Sequence, residues 1–435
     1  MDRGILSSFP SDLIPEILSR LPAKSIGRFR CVSKQWGSIL SRQDFPELFF
    51  TRSLARPRLL LVLQRANGEL LVFSSPQPQN PYEKSLVVTA DFHMKLRGHM
   101  LKYNMCSYAS GLIYVPDYEI FENLESVNGK EKEGVICNPA LGQFLTLPIP
   151  NMIIYRKSTS FLGFDPVDEQ FKVLAEADIS SNDYDHHGVL TFGTEKLRWR
   201  GNNHCPHYYR FSSQGICING VLYYLADTTD EFSDLMISFD VKSEKFKFIE
   251  AECFRDRRAT RLINYKGKLG GIDLTYDDDD AVVLTVSVLE DVEKKEWSKY
   301  VYTLPKHEVQ VYNVFVAGMT ARGEIVLAEK FTSKPYNVFF YNPEKNSLQS
   351  VEIQGVGANG EAFETDCRVF AFVDHVEDIS LKTQVQLYKR EDGTDEDEDE
   401  DDDEDGYEYG YEYEDGYGYE DGYEDDIEDE AKEVS

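Results

Sequence analysis

The chain has 435 residues, of which 13% are aromatic, with 26 Tyr and 26 Phe; this length holds one large domain and a small one, or two to three ordinary ones. Its net charge of −31 is unevenly spread, since residues 391–435 hold 26 Asp and Glu against Lys432 alone. No apolar run approaches the roughly 18 residues of a membrane-spanning helix, and the start, MDRGILSSFPSD, lacks the apolar core of a signal peptide, so neither a helical membrane protein nor a secreted one is expected. Seven scattered Cys fit reduced thiols, so the expected location is intracellular, in cytoplasm or nucleus. Cys31 and Cys137 sit in apolar runs and are expected to be buried as small hydrophobes.

Residues 9–50 read FPSDLIPEILSRLPAKSIGRFRCVSKQWGSILSRQDFPELFF and follow a helical pattern. Ser11 or Asp12 can cap a first helix, with Pro15 in its first turn, where no intrahelical bond is lost. Leu13, Ile17 and Leu21 recur at i, i+4 and i+8, with Ile14 and Leu18 widening the stripe, and Pro22 ends it. Residues 24–30 form a second helix with Ile26 and Phe29 inward, and Ser33 caps a third carrying Trp36, Ile39 and Leu40. Three short helices cannot bury so wide an apolar arc. Part of it should therefore meet another protein; packing on the following domain is the alternative.

The string FPSDLIPEILSRLPAKSIGRFRCVSKQW resembles an F-box, whose usual form is L-P-x-D-L-x-x-E-I-L-x-R-L-P-x-K-S-L-x-R-x-x-x-V-S-K-x-W. Phe9 and Ile26 stand where Leu is usual. The resemblance implies docking on a Skp-family adaptor, and through it on cullin and RING subunits of a ubiquitin ligase. It assigns adaptor binding to Pro10, Leu13, Ile14, Ile17, Leu18, Leu21, Pro22 and Ile26, and the F-box core to Phe29, Val32 and Trp36. Residues 1–58 carry ten Lys and Arg against five Asp and Glu, dispersed and without a recognition-helix pattern. An acidic protein partner fits this better than nucleic acid.

From residue 55 the grammar changes to short strands punctuated by turns. Residues 59–73 read as a hairpin with a type I′ signal at Asn67-Gly68. Inner hairpins are expected around Asn219-Gly220, Lys266-Gly267 and Arg322-Gly323. Strand–turn–strand units are built on Asn138-Pro139, Asp165-Pro166, Asp240 and Asn342-Pro343, and each inner hairpin is expected to pair with the unit after it. The repeat of roughly 45–50 residues is the length of a propeller blade; six blades fit the span best, and seven is the alternative. Residues 368–373 and 385–388 are expected to pair with the first blade and close the ring. With the F-box, these blade turns resemble the plant F-box-associated interaction domain, a kelch-like propeller family. The resemblance implies that this domain binds the protein to be ubiquitinated. The expected fold is α+β multidomain: a three-helix F-box at 1–54, an all-β propeller at 55–390 and a disordered acidic tail at 391–435 rich in Asp, Glu, Tyr and Gly.

Catalytic signatures are missing from the sequence: there is no Gly-x-Ser-x-Gly, phosphate loop or dinucleotide fingerprint. His204-Cys205-Pro206-His207 and His186-His187 lack the paired knuckles of a zinc site, and Asp277 to Asp280 lacks the spacing of a calcium loop. The expectation is a non-catalytic substrate receptor without cofactor or metal. Candidate substrate loops are 118–133, 180–188, 199–209 and 276–280. The rival reading is a protein-binding propeller outside any ligase, whose acidic tail holds basic partners.

Overall fold

A computed structural model describes residues 13–379 apart from 79–84, 101–105, 121–132, 149–157, 178–186, 194–196, 202–208, 212–213, 229–233, 252, 255–259, 278–280, 305–312, 356–362 and 364–365. Four helices come first: α1 (Leu13–Leu18), α2 (Ala23–Arg30), α3 (Lys34–Leu40) and α4 (Phe45–Leu54). Ser33 caps α3 as its sequence suggests, its Oγ accepting from the Trp36 amide at 3.2 Å. The fourth helix is a correction to the three-helix expectation. It starts with Pro46 in its first turn and buries Phe45 and Phe49 at i, i+4.

The body is a ring of six four-stranded blades. Blade I contains β1 (Arg58–Gln64), β2 (Leu70–Pro76) and β3 (Ser85–Leu96). In blade II, β4 (Gly98–Met100) and β5 (Ser107–Ala109) share the inner position, followed by β6 (Leu112–Ile120), β7 (Glu133–Asn138) and β8 (Gln143–Thr146). Blade III is β9 (Ser158–Asp165), β10 (Gln170–Ala177), β11 (His187–Thr191) and β12 (Trp199–Gly201). Blade IV again splits its inner strand, into β13 (Tyr209–Phe211) and β14 (Ile216–Ile218), before β15 (Val221–Thr228), β16 (Asp234–Asp240) and β17 (Lys245–Glu250). Blade V is β18 (Arg261–Tyr265), β19 (Lys268–Tyr276), β20 (Val282–Asp291) and β21 (Glu296–Thr303). Blade VI is β22 (Val314–Met319), β23 (Ile325–Glu329), β24 (Tyr336–Asn342) and β25 (Ser347–Gly355). The last strand, β26 (Arg368–His375), returns to pair antiparallel with β1 and becomes the inner strand of blade I. Residues 385–388, also expected to help close the ring, lie outside the described residues.

Continuous apolar runs such as Leu59–Leu63 follow from this architecture, because each blade is covered on both faces. Leu59, Leu61 and Leu63 join a core shared with blade VI, while Leu60 and Val62 join the core shared with blade II. Four further cores fill the remaining blade boundaries, so the ring is closed by packing as well as by hydrogen bonds.

Five outer or inner hairpins share one turn device. The side-chain oxygen of Asn138, Asp165, Asp240, Asp291 or Asn342 accepts an amide two or three residues on. Four residues after each, Gly142, Glu169, Glu244, Lys295 or Asn346 takes positive φ. Asp165-Pro166 joins β9 to β10, so this unit is itself the inner hairpin of blade III. Asn219-Gly220 and Lys266-Gly267 have two consecutive positive φ values, as a type I′ turn requires. Asn67-Gly68 does not: Gly68 alone is positive, at 85°, and its amide donates to Arg65 O at 2.9 Å. The loop is a bulged three-residue hairpin, repeated at Arg322-Gly323, where the Gly323 amide reaches Thr320 O at 2.8 Å.

Candidate functional site

On α1 the apolar stripe divides. Leu13 and Ile17 are 47% and 51% exposed on one face, whereas Ile14 and Leu18, one residue further round, are buried. Ile26 is 1% exposed, and Leu21 and Pro22 are half-buried. Direct adaptor contact by Ile14, Leu18 and Ile26 is therefore corrected. With Ala23, Leu40, Phe45 and Phe49 they form a core that also contains Ala140 and Ile379 of the propeller, with Leu141 against it. Packing on the β domain, the alternative weighed from the sequence, accounts for this half of the stripe. Pro10 lies outside the described residues. Phe29 and Trp36, half-buried against this core, stack at 5.0 Å and 18°. Val32 is another correction: it is 64% exposed, because it sits in the turn between α2 and α3. Cys31 beside it is exposed too, against expectation, while Cys137 is buried.

Polar contacts fix the helices to the body. The N-cap of α2 is Pro22, which offers no side-chain acceptor. Glu377, just beyond β26, supplies one: its Oε1 accepts from the Ala23 amide at 3.3 Å. Burial pushes the Glu377 carboxyl above the usual carboxylate range. Arg56 donates to Ser19 O at 2.8 Å, to Leu21 O at 3.2 Å and to Arg20 O, satisfying carbonyls left free where α1 ends. Lys24 Nζ donates to Phe92 O at 2.9 Å and lies 5.3 Å from the centre of the Phe92 ring.

Under this joint, Arg58 pairs with Asp91 at 2.5 Å and donates to Ser74 Oγ at 2.7 Å, which also contacts His93 Nε2 at 2.7 Å. Burial, with Arg58 and Lys24 adding positive charge nearby, lowers the His93 pKa to about 4. His375, bonded to the Tyr108 hydroxyl at 3.2 Å, is lowered by burial to about 3. Both rings are neutral at pH 7.

Strand direction assigns two faces to the ring. First-to-second and third-to-fourth connections emerge on one face, including the β7–β8 turn on which the helices sit. Second-to-third and blade-to-blade connections emerge on the other, where the described ends of 118–133, 180–188, 199–209 and 276–280 lie. The central residues of those candidate loops lie outside the described residues. So do His186 and His204 to His207. His187 is buried on β11, edge-on to Phe246 at 5.3 Å. Among the described residues no group of three His, Cys, Asp or Glu is placed to hold a metal.

Residues 58–376 match the family model described as F-box associated beta propeller domain, and residues 6–48 match the F-box domain. The chain is similar to F-box protein At3g57590 of Arabidopsis thaliana, 51% identical over 391 residues covering 88% of this chain and 93% of that protein. It is also similar to Putative F-box protein At1g30925 of Arabidopsis thaliana, at 50% identity covering 88% of this chain and 68% of that one. Putative F-box protein At5g42430 of the same plant is 49% identical, with 86% and 91% covered.

Proposed function

Because the chain belongs to the plant F-box proteins that carry an F-box-associated β-propeller, we propose that it is the substrate-recognition subunit of a Skp–cullin–F-box ubiquitin ligase. The observation that carries this reading is the division of α1. Half of its stripe is used to seat the helices on the propeller, and Leu13 and Ile17 remain outside as an apolar pair at i, i+4. In this reading Leu13 and Ile17 contact a Skp-type adaptor with Leu21 and Pro22 at the rim, and Ile14, Leu18 and Ile26 hold the helices at a fixed angle. The substrate binds the opposite face of the ring. The protein then acts by position inside the cell, raising the effective concentration of substrate lysines near a charged carrier enzyme, with no catalytic residue of its own.

The test is recovery of a purified Skp-type adaptor by the full chain and by Leu13→Asp and Ile17→Asp. Both variants should lose the adaptor while keeping the parent melting temperature, since both positions are half exposed. Recovery equal to the parent's would sink the reading and leave a propeller that binds proteins outside a ligase.

A further inference from the structure

Inner strands of five blades line a cavity of about 410 Å³ on the propeller axis, within the size range of small-molecule sites. Its wall includes Ile216, Met319, Phe372 and Val373, and Arg261 at the start of β18. Arg261 Nη2 donates to Ala317 O of the neighbouring inner strand at 3.3 Å. Among the described residues no carboxylate pairs with it. Part of its surface stays accessible, consistent with facing the cavity it lines, yet protein surrounds it closely enough that lost solvation alone lowers its pKa to about 10.

Three cations elsewhere in the ring illustrate the usual pairing. Arg58 has Asp91, Lys172 has Glu244, and Lys266 on the same cavity wall has Glu344 at 3.5 Å. The cavity's own carboxylate, Asp374, is occupied by the Ala321 amide at 2.6 Å, and its titration responds to Arg322 rather than Arg261. A guanidinium enclosed in this way is unfavourable until an anion reaches it, and its planar fork suits a carboxylate. A phosphate would call for more donors than one arginine and offers nothing to the apolar wall.

We propose that the axial cavity binds an apolar carboxylic acid, with the carboxylate on Arg261 and the hydrocarbon body along the wall that includes Ile216, Phe372 and Val373. The same chemistry reaches the site as a free small acid or as an acidic side chain within a peptide. The cavity is bordered by the first-to-second turns at Ser110, Lys266 and Ala321, on the face that also carries the helices, and the proposal does not rest on the ligase reading.

The test is calorimetric titration of the full chain with four probes: 3-phenylpropionate, its neutral amide, inorganic phosphate, and a heptapeptide with one central glutamate between aliphatic residues. One or both carboxylate probes should saturate a single site, while the amide and phosphate should not. Saturation by 3-phenylpropionate assigns a free acid, and saturation by the peptide alone assigns a protein segment. Arg261→Met should weaken binding at least about tenfold, the loss expected on removing a charge-assisted pair. The same variant without ligand should melt no lower than the parent, because an uncompensated charge has been removed. Should it fail to fold, Arg261→Gln, which keeps a donor for Ala317 O, takes its place. Absence of saturable binding by either carboxylate, equal binding of the amide, tighter binding of phosphate, or affinity unchanged by the substitution would overturn the proposal.

Discussion

Replacing Ile26 and Ile17 separately by Ala tests how the α1–α2 stripe is divided. Ile26 is 1% exposed within the core formed with Ala140 and Ile379, so truncation leaves a cavity between helices and propeller. Deleting a buried Ile side chain to Ala costs about 2–4 kcal/mol. Ile17 is 51% exposed and outside that core, so its truncation changes stability by no more than ~0.5 kcal/mol. Hydrogen exchange of the backbone amides reads this directly. Where exchange follows the opening equilibrium, Ile26→Ala should speed exchange across α1 to α4 by about 30- to 700-fold, and Ile17→Ala by less than about threefold. Blade amides remote from the joint, such as those of β20, should be unchanged in both. Equal loss of protection in the two variants, or none in Ile26→Ala, would refute the docking of the helices through this face.

Acidification should loosen the same joint. His93 and His375 have folded pKa values of about 4 and about 3, below the ordinary 6.5. Below pH 6.5 the unfolded chain therefore binds protons that the folded chain refuses, and stability falls as pH drops, by about 1.4 kcal/mol per unit for each ring. The raised carboxyl of Glu377 acts in the opposite sense, in the window between the ordinary carboxylate pKa and its own higher folded value, so it offsets part of the histidine effect. Melting temperature should thus decline from pH 7 to pH 5 and decline less in His93→Gln; a flat profile in the parent would contradict buried neutral rings. Two glycines should respond oppositely to Ala. At Gly271 a Cβ would stand 2.3 Å from Phe254 Cε1, and Phe254 is itself buried edge-on against Trp297, so Gly271→Ala should cost about 1–3 kcal/mol in a denaturant melt. At Gly27, inside α2, a Cβ meets nothing within 4 Å, so Gly27→Ala should stabilise by about 0.5–1 kcal/mol. Destabilisation at Gly27 equal to that at Gly271 would count against both assignments.

Local chemistry made much of this legible. Proline, Ser33 and the Asn and Asp turns act within a few residues of themselves, and the helix starts and blade hairpins follow them. The run at β1 marked a strand, and the structure shows it buried on both faces. What escaped depends on distant partners. Ile14, Leu18 and Ile26 look like a free stripe until Ala140 and Ile379 are brought beneath them, and neither residue signals its role in sequence. The α2 cap comes from Glu377, 354 positions away. Val32 and Cys31 show the converse, since an apolar residue in a tight turn has no neighbour to cover it. The α4 helix could have been found from Pro46 in the first turn with Phe45 and Phe49 spaced by four. Asp165-Pro166 carried the right turn but no indication of its place in the blade. Arg261 had no local signature, because its isolation arises only when strands from separate blades converge.

Ring closure by β26 ties the beginning of the chain to its end in time as well as in space. During synthesis, β1 leaves the ribosome about 15–60 s before its partner, at ordinary elongation rates. Through that interval Leu59 to Leu63 cannot complete the core shared with blade VI, and the α2 amide must wait for Glu377. A nascent chain therefore holds an apolar strand without its partner until the final blade is made. Chains cut short before residue 368 never complete the ring, and their helices lack both the seat at Ile379 and the cap.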